Sequence, residues 1–182
     1  MKRNENEIFT HYKHSHGSHS YDLNSCGDDK DFDDEDGAPT ITWESNPSFS
    51  TQEISSEMNV DLKVTSPNGI QSFVIKITSP DAAFTALLDV MVSEANSSAK
   101  NNGKVVLDLT SDVKVAAALK PFGVPTGTDL LYKTSVDFSL SSLVPMIGSV
   151  ARTEGDYVFE TTVTDRNGKS VTKSPTFHLT AK

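Results

Sequence analysis

Through most of residues 39–181, apolar side chains recur at every second position, the period of extended backbone that buries one face and wets the other. The pattern is clearest near the C-terminus. There Tyr157, Phe159, Thr161 and Val163 fall on one face, with Val158, Glu160, Thr162 and Thr164 on the other; further on, Val171, Phe177 and Leu179 oppose Thr172, Thr176 and His178. Asn167-Gly168 lies between the two runs and accepts the positive φ angles of a tight turn, so the segment predicts a β-hairpin. Upstream, Ile41 and Trp43 follow Pro39 and predict an opening edge strand. Val60, Leu62 and Val64 predict a second strand, Ser66-Pro67-Asn68-Gly69 a turn, and Gln71–Thr78 a third strand with Phe73, Ile75 and Ile77 on one face. Strand character returns at Thr134–Leu140, with Val136, Phe138 and Leu140 inward.

Between these strands the period lengthens. Ser79-Pro80-Asp81 reads as a helix start, with the serine as cap, proline in the first turn and an acid near the positive end of the dipole. Phe84, Leu87, Leu88 and Met91 then recur at helical spacing, and Asn96–Gly103 ends the helix. After a short extended piece, Val105–Leu109, a second cap is expected at Thr110 or Ser111. Val113, Ala116, Ala117 and Leu119 then make a shorter helix stopped by Pro121 and Gly123. Ser141–Ile147 predicts one helical turn. About seven strands with short turns give a mostly β fold, an immunoglobulin-like β-sandwich over residues 38–182, with the two helices as an insertion between middle strands.

Charge divides the chain differently. Ten acidic and four basic residues fall within residues 1–37, so that segment carries six of the nine excess negative charges. It also holds four of the five histidines and few large apolar groups, a composition that cannot offset the entropy of ordering, so residues 1–37 are expected to be disordered. The acidic balance disfavours a nucleic-acid partner, because binding a polyanion relies on clustered Lys and Arg. No run approaches the roughly 20 apolar residues of a membrane helix.

The single cysteine lies in Leu23-Asn24-Ser25-Cys26-Gly27 and is followed by Asp28-Asp29-Lys30-Asp31-Phe32-Asp33-Asp34-Glu35-Asp36. A leucine three before a cysteine among small residues resembles the lipobox of bacterial lipoproteins, and the acidic run resembles the export signal of surface lipoproteins in the Bacteroidota. The resemblance implies acylation of Cys26, a membrane partner through that lipid, and an outer-membrane or cell-surface location, the charged tether holding the domain clear of the bilayer. Thr10–Asp22 is polar where a lipoprotein signal is apolar, and a shifted reading frame or wrong start is expected to account for it. Gly155-Asp156-Tyr157, followed by Val163-Thr164-Asp165-Arg166-Asn167-Gly168-Lys169, is similar to the closing strands of bacterial PKD-like and immunoglobulin-like domains. That likeness implies an adhesive, spacer or glycan-contacting module without catalysis.

Candidate chemistry is sparse. His178 could join a serine and an aspartate, but the chain has no Gly-x-Ser-x-Gly elbow, and the histidine reads as a surface residue. Asp28–Asp36 departs from a calcium loop because Phe32 takes a ligand position, and it reads as a solvated tether. His11, His14, His16 and His19 form at most an adventitious metal site, so no metal or cofactor is expected. Among the aromatics, Trp43 shares a face with Ile41 and reads as core, while Tyr157 resembles the corner tyrosine of such sandwiches, whose hydroxyl bonds back to main chain. Tyr132, beside Gly127-Thr128-Asp129, is left as the candidate ligand contact. The stripe Phe84, Leu87, Leu88 and Met91 reads as the helix face laid on the sheet.

Overall fold

The computed structural model describes residues 37–55, 58–141 and 149–180. Cys26, the acidic run, the four N-terminal histidines and most of the helical turn expected at Ser141–Ile147 lie outside these residues. The described chain is mostly β. In order it forms β1 (Thr40–Trp43), β2 (Gln52–Glu53), β3 (Asp61–Thr65), β4 (Ile70–Thr78), α1 (Ala82–Val90), β5 (Val105–Asp108), α2 (Val113–Leu119), β6 (Ser135–Ser139), β7 (Gly155–Asp165), β8 (Ser170–Lys173) and β9 (Thr176–Leu179).

The strands make two sheets. One has the order β1-β3-β6 and is antiparallel throughout; the other has the order β2-β9-β7-β4-β5, with β8 also paired to β7. All pairings of the second sheet are antiparallel except β2 with β9, which is parallel. The alternation explains the packing. Ile41, Trp43, Leu62, Val64 and Phe138 from the first sheet are buried with Phe73, Ile75, Ile77, Tyr157, Phe159 and Phe177 from the second. The rings interlock across the gap, with Phe73 5.2 Å from Phe138 and Trp43 5.8 Å from Phe177, centroid to centroid. Burying each such side chain contributes about 1.5–3 kcal/mol before entropy is set against it.

β8 and β9 are one arm of the expected hairpin, interrupted at Ser174-Pro175. The register against β7 runs through the break: Thr161 faces Lys173 and Val158 faces Thr176. Proline has no N–H for the ladder, but its carbonyl still accepts from Phe159 N at 2.9 Å, so the pairing resumes without a slip. The turn is longer than Asn167-Gly168 alone implies. Asp165 and Lys169 are opposed, Gly168 N donates to Asp165 O at 3.1 Å, and of the pair only Gly168 takes a positive φ, 79°. This is a three-residue loop whose last residue occupies the left-handed region.

Both helices start on an aspartate, not on the hydroxyl residues expected from sequence. Asp81 Oδ1 accepts from Phe84 N at 2.8 Å and caps α1, while Ser79 Oγ instead receives Asp81 N at 2.9 Å. Asp112, not Thr110 or Ser111, caps α2 by accepting from Lys114 N. The reason is the same in both places: the carboxylate has a second oxygen that reaches across the fold. Asp81 Oδ2 takes Arg152 N at 2.7 Å and Thr153 N at 2.9 Å, and Asp112 Oδ2 takes Ser93 N at 2.8 Å and Asn96 Nδ2 at 2.7 Å. Helix α1 buries Phe84, whose ring meets Tyr157 edge-on at 5.5 Å, together with Leu88; Leu87 and Met91 are half-buried. It ends at Val90, earlier than the Asn96–Gly103 stretch. In α2 the inward face is Val115 and Leu119, while Val113 is 81% exposed, so the expected stripe is rotated.

Candidate functional site

At one end of the two sheets three connections meet: the β3–β4 turn Ser66–Gly69, the approach to β6 through Tyr132–Thr134, and the β7–β8 turn Arg166–Gly168. Gly69 joins them. Its N–H closes the first turn on Ser66 O at 2.8 Å, and its carbonyl accepts from Arg166 N at 3.1 Å. The backbone of Tyr132 passes so near that a Cβ on Gly69 would lie 3.0 Å from Tyr132 O, and Gly69 itself has φ 78°. A glycine is therefore required here by both space and conformation.

Tyr132 is held in an uncommon state. Its φ is 65°, in the left-handed region that costs a residue with a bulky side chain about 1–3 kcal/mol. Tyr132 N donates to Ile70 O at 2.7 Å and Ile70 N to Lys133 O at 3.0 Å, which locks the backbone between two strand ends. The residue is nevertheless 67% exposed. The guanidinium of Arg166 stands 5.4 Å from the centre of its ring, a cation–π geometry. Tyr132 and Arg166, with Pro67, Asn68, Thr134 and Asn167, line a cleft of about 480 Å³.

Asp165 sits behind this cleft and is buried. Its Oδ2 accepts from Asn68 Nδ2 at 2.9 Å; its Oδ1 accepts from Lys169 N at 2.8 Å and Asn167 N at 2.9 Å. The Asn68 amide, aided by those two backbone donors, holds the carboxyl below the usual carboxylate range. Its charge is thus spent on fixing two of the three turns to each other. The cleft's lining then carries one charged side chain, Arg166.

The other candidates fall elsewhere. Trp43 is buried and its Nε1 donates to Asn59 O at 3.3 Å, a core role. Tyr157 is buried and its hydroxyl donates to Thr153 O at 2.8 Å, four residues back along the chain, the geometry expected of a corner tyrosine. Burial first, then the nearby Asp81 carboxylate, push that phenol up. His178 is partly exposed and has a partner. It lies directly across from Asp156 in the β7–β9 ladder, with Nδ1 2.7 Å from Asp156 Oδ1 and 29% of its side chain exposed. The Asp156 hydrogen bond, with the charge of Glu53 on β2, raises its pKa. No serine hydroxyl bonds to that ring among the described residues, and no group of three or more His, Cys, Asp or Glu there is arranged to hold a metal ion.

Of these residues the sequence singled out Tyr132, and the fold brings Arg166, Asn68 and Gly69 to it from segments more than thirty residues away. A cation inside a hairpin turn was the one signal that could have marked Arg166. No protein-family model, curated protein or solved structure matches the chain.

Proposed function

We propose that this chain is a non-catalytic binding module of the bacterial outer membrane or cell surface, built as an immunoglobulin-like sandwich and tethered by a lipid on Cys26. Support for the sandwich comes from the strand order: a β1-β3-β6 sheet faces a β2-β9-β7-β4-β5 sheet, and an edge strand runs parallel to the last one. The Tyr157 hydroxyl returning to Thr153 O is a second mark of that class. The helices α1 and α2 are an insertion between β4 and β6. The observation that carries a binding role is the meeting of three connections around an exposed aromatic held in a strained backbone, since strain and exposure together mark a side chain kept for contact. A glycan-binding accessory role in polysaccharide capture is the second reading, favoured by the polar cleft beside Tyr132.

Two measurements test the proposal. The full chain is expected in the membrane fraction, and Cys26→Ala in the soluble fraction; the same distribution for both overturns the anchor. Cells displaying the full chain are expected to adhere to a polysaccharide or protein surface in a manner lost with Tyr132→Ala. Adhesion that ignores this substitution moves the contact face away from the loop end.

A further inference from the structure

The cleft at the loop end has a chemistry that narrows its ligand. Its main-chain groups are largely committed to one another: Gly69 N to Ser66 O, Arg166 N to Gly69 O, Tyr132 N to Ile70 O and Ile70 N to Lys133 O. A peptide adding as a strand needs a row of free backbone donors and acceptors, and these turns do not offer one. Recognition therefore falls to side chains. These are the ring of Tyr132, the guanidinium of Arg166 and the hydroxyl of Thr134, set among Asn68 and Asn167, which have partners of their own, around a space within the roughly 300–1,000 Å³ of small-ligand sites. The lining is more polar than apolar, which fits a sugar better than an apolar molecule.

The charge narrows it further. The chain is acidic, with a formal net charge of −9, yet the one charged group lining this cleft is cationic. Asp165, the nearest acid in the turns, has both oxygens directed inward to Asn68, Asn167 and Lys169. Arg166 is stacked over Tyr132 and makes no ion pair among the described residues. Its planar fork of donors matches a carboxylate with two parallel hydrogen bonds.

We propose that the cleft binds a carboxylate-bearing saccharide, with the carbon face of one sugar ring on Tyr132 and the carboxylate in the fork of Arg166. The proposal rests on the reading of the loop end as the binding face. Gly69 supplies the positioning: it allows the Tyr132 backbone to close on the β3–β4 turn and fixes the start of the Arg166 turn, so ring and cation are presented together.

Titration calorimetry of the full chain tests this with two pairs of probes, digalacturonate against its methyl ester and 3′-sialyllactose against its methyl ester. In at least one pair the acid is expected to bind about tenfold more tightly than its neutral counterpart, as a charge-assisted fork contact requires. Arg166→Gln is expected to erase that preference, and Arg166→Lys to restore only part of it. Tyr132→Gly should abolish binding of both members while raising the urea midpoint, because glycine relieves the left-handed strain; this separates loss of contact from loss of fold. Equal affinity for acid and neutral sugar, still dependent on Tyr132, overturns the carboxylate assignment and leaves the loop end as a binding face. Tighter binding of a triglutamate peptide than of either acidic sugar overturns the saccharide. Absence of binding by all probes, or binding untouched by both substitutions, overturns the proposed ligand, while the adhesion assay with Tyr132→Ala still reports separately on the face.

Discussion

Replacing Asp81 by alanine leaves three backbone N–H groups without their acceptor: Phe84 at the start of α1, and Arg152 and Thr153 on the approach to β7. Loss of a helix cap costs about 1 kcal/mol. Each of the other two bonds is made to a charged oxygen inside the fold, and leaving its donor unpaired costs about 1 kcal/mol or more. The sum is about 3 kcal/mol, or about 10 °C of Tm in a domain of this size. Urea unfolding reads it directly, because the only tryptophan in the chain, Trp43, is fully buried and reports loss of the core by fluorescence. Asp137→Ala, on an exposed position of β6, is the control. The pH dependence has a definite sign. The Arg152 and Phe84 N–H groups hold the Asp81 carboxyl far below its ordinary value of 3.8. A depressed folded pKa means stability that is complete above the unfolded value and lost as pH falls below it, so the gap between wild type and Asp81→Ala should be constant between about pH 5 and 8 and shrink only under about pH 4. A cost below about 1 kcal/mol, or a gap that changes near neutrality, refutes the reasoning.

Two further outcomes are expected. Tyr157→Phe removes the hydroxyl that reaches Thr153 O and should lower stability by about 1 kcal/mol with no change in the slope of the urea transition; an unchanged midpoint would mean that the bond adds nothing. His178 has a raised folded pKa because of Asp156, so its stabilisation is present below an unfolded value near 6.5 and fades as pH rises through the folded pKa. His178→Gln should therefore approach the wild type in stability at high pH and fall behind it at about pH 6, and a difference that grows with pH contradicts the pairing.

The strands were legible because two-residue alternation survives wherever one face is buried, and Ile41, Trp43, Leu62, Val64, Phe73, Ile75 and Phe159 all sit where that rule puts them. The caps were not. Ser79 and Asp81 are both good caps by local chemistry, and the choice falls to Asp81 because its second oxygen is claimed by Arg152 and Thr153, some seventy residues on. The same tertiary claim, from Ser93 and Asn96, selects Asp112. In α2 the alanines carry little directional signal, so the apolar Val113 misleads and Val115 with Leu119 define the inner face. Tyr132 stood out by exclusion, as the one of Trp43, Tyr132 and Tyr157 that no strand claims. Its partner Arg166 is hidden in a turn whose sequence speaks only of geometry, and nothing local couples the two.

The strand beside β9 has consequences for how copies of this chain tolerate one another. Gln52 and Glu53 are all of β2, and this stub lies parallel to its neighbour and carries a charge. A margin this short offers a second molecule almost no ladder to extend beside β9.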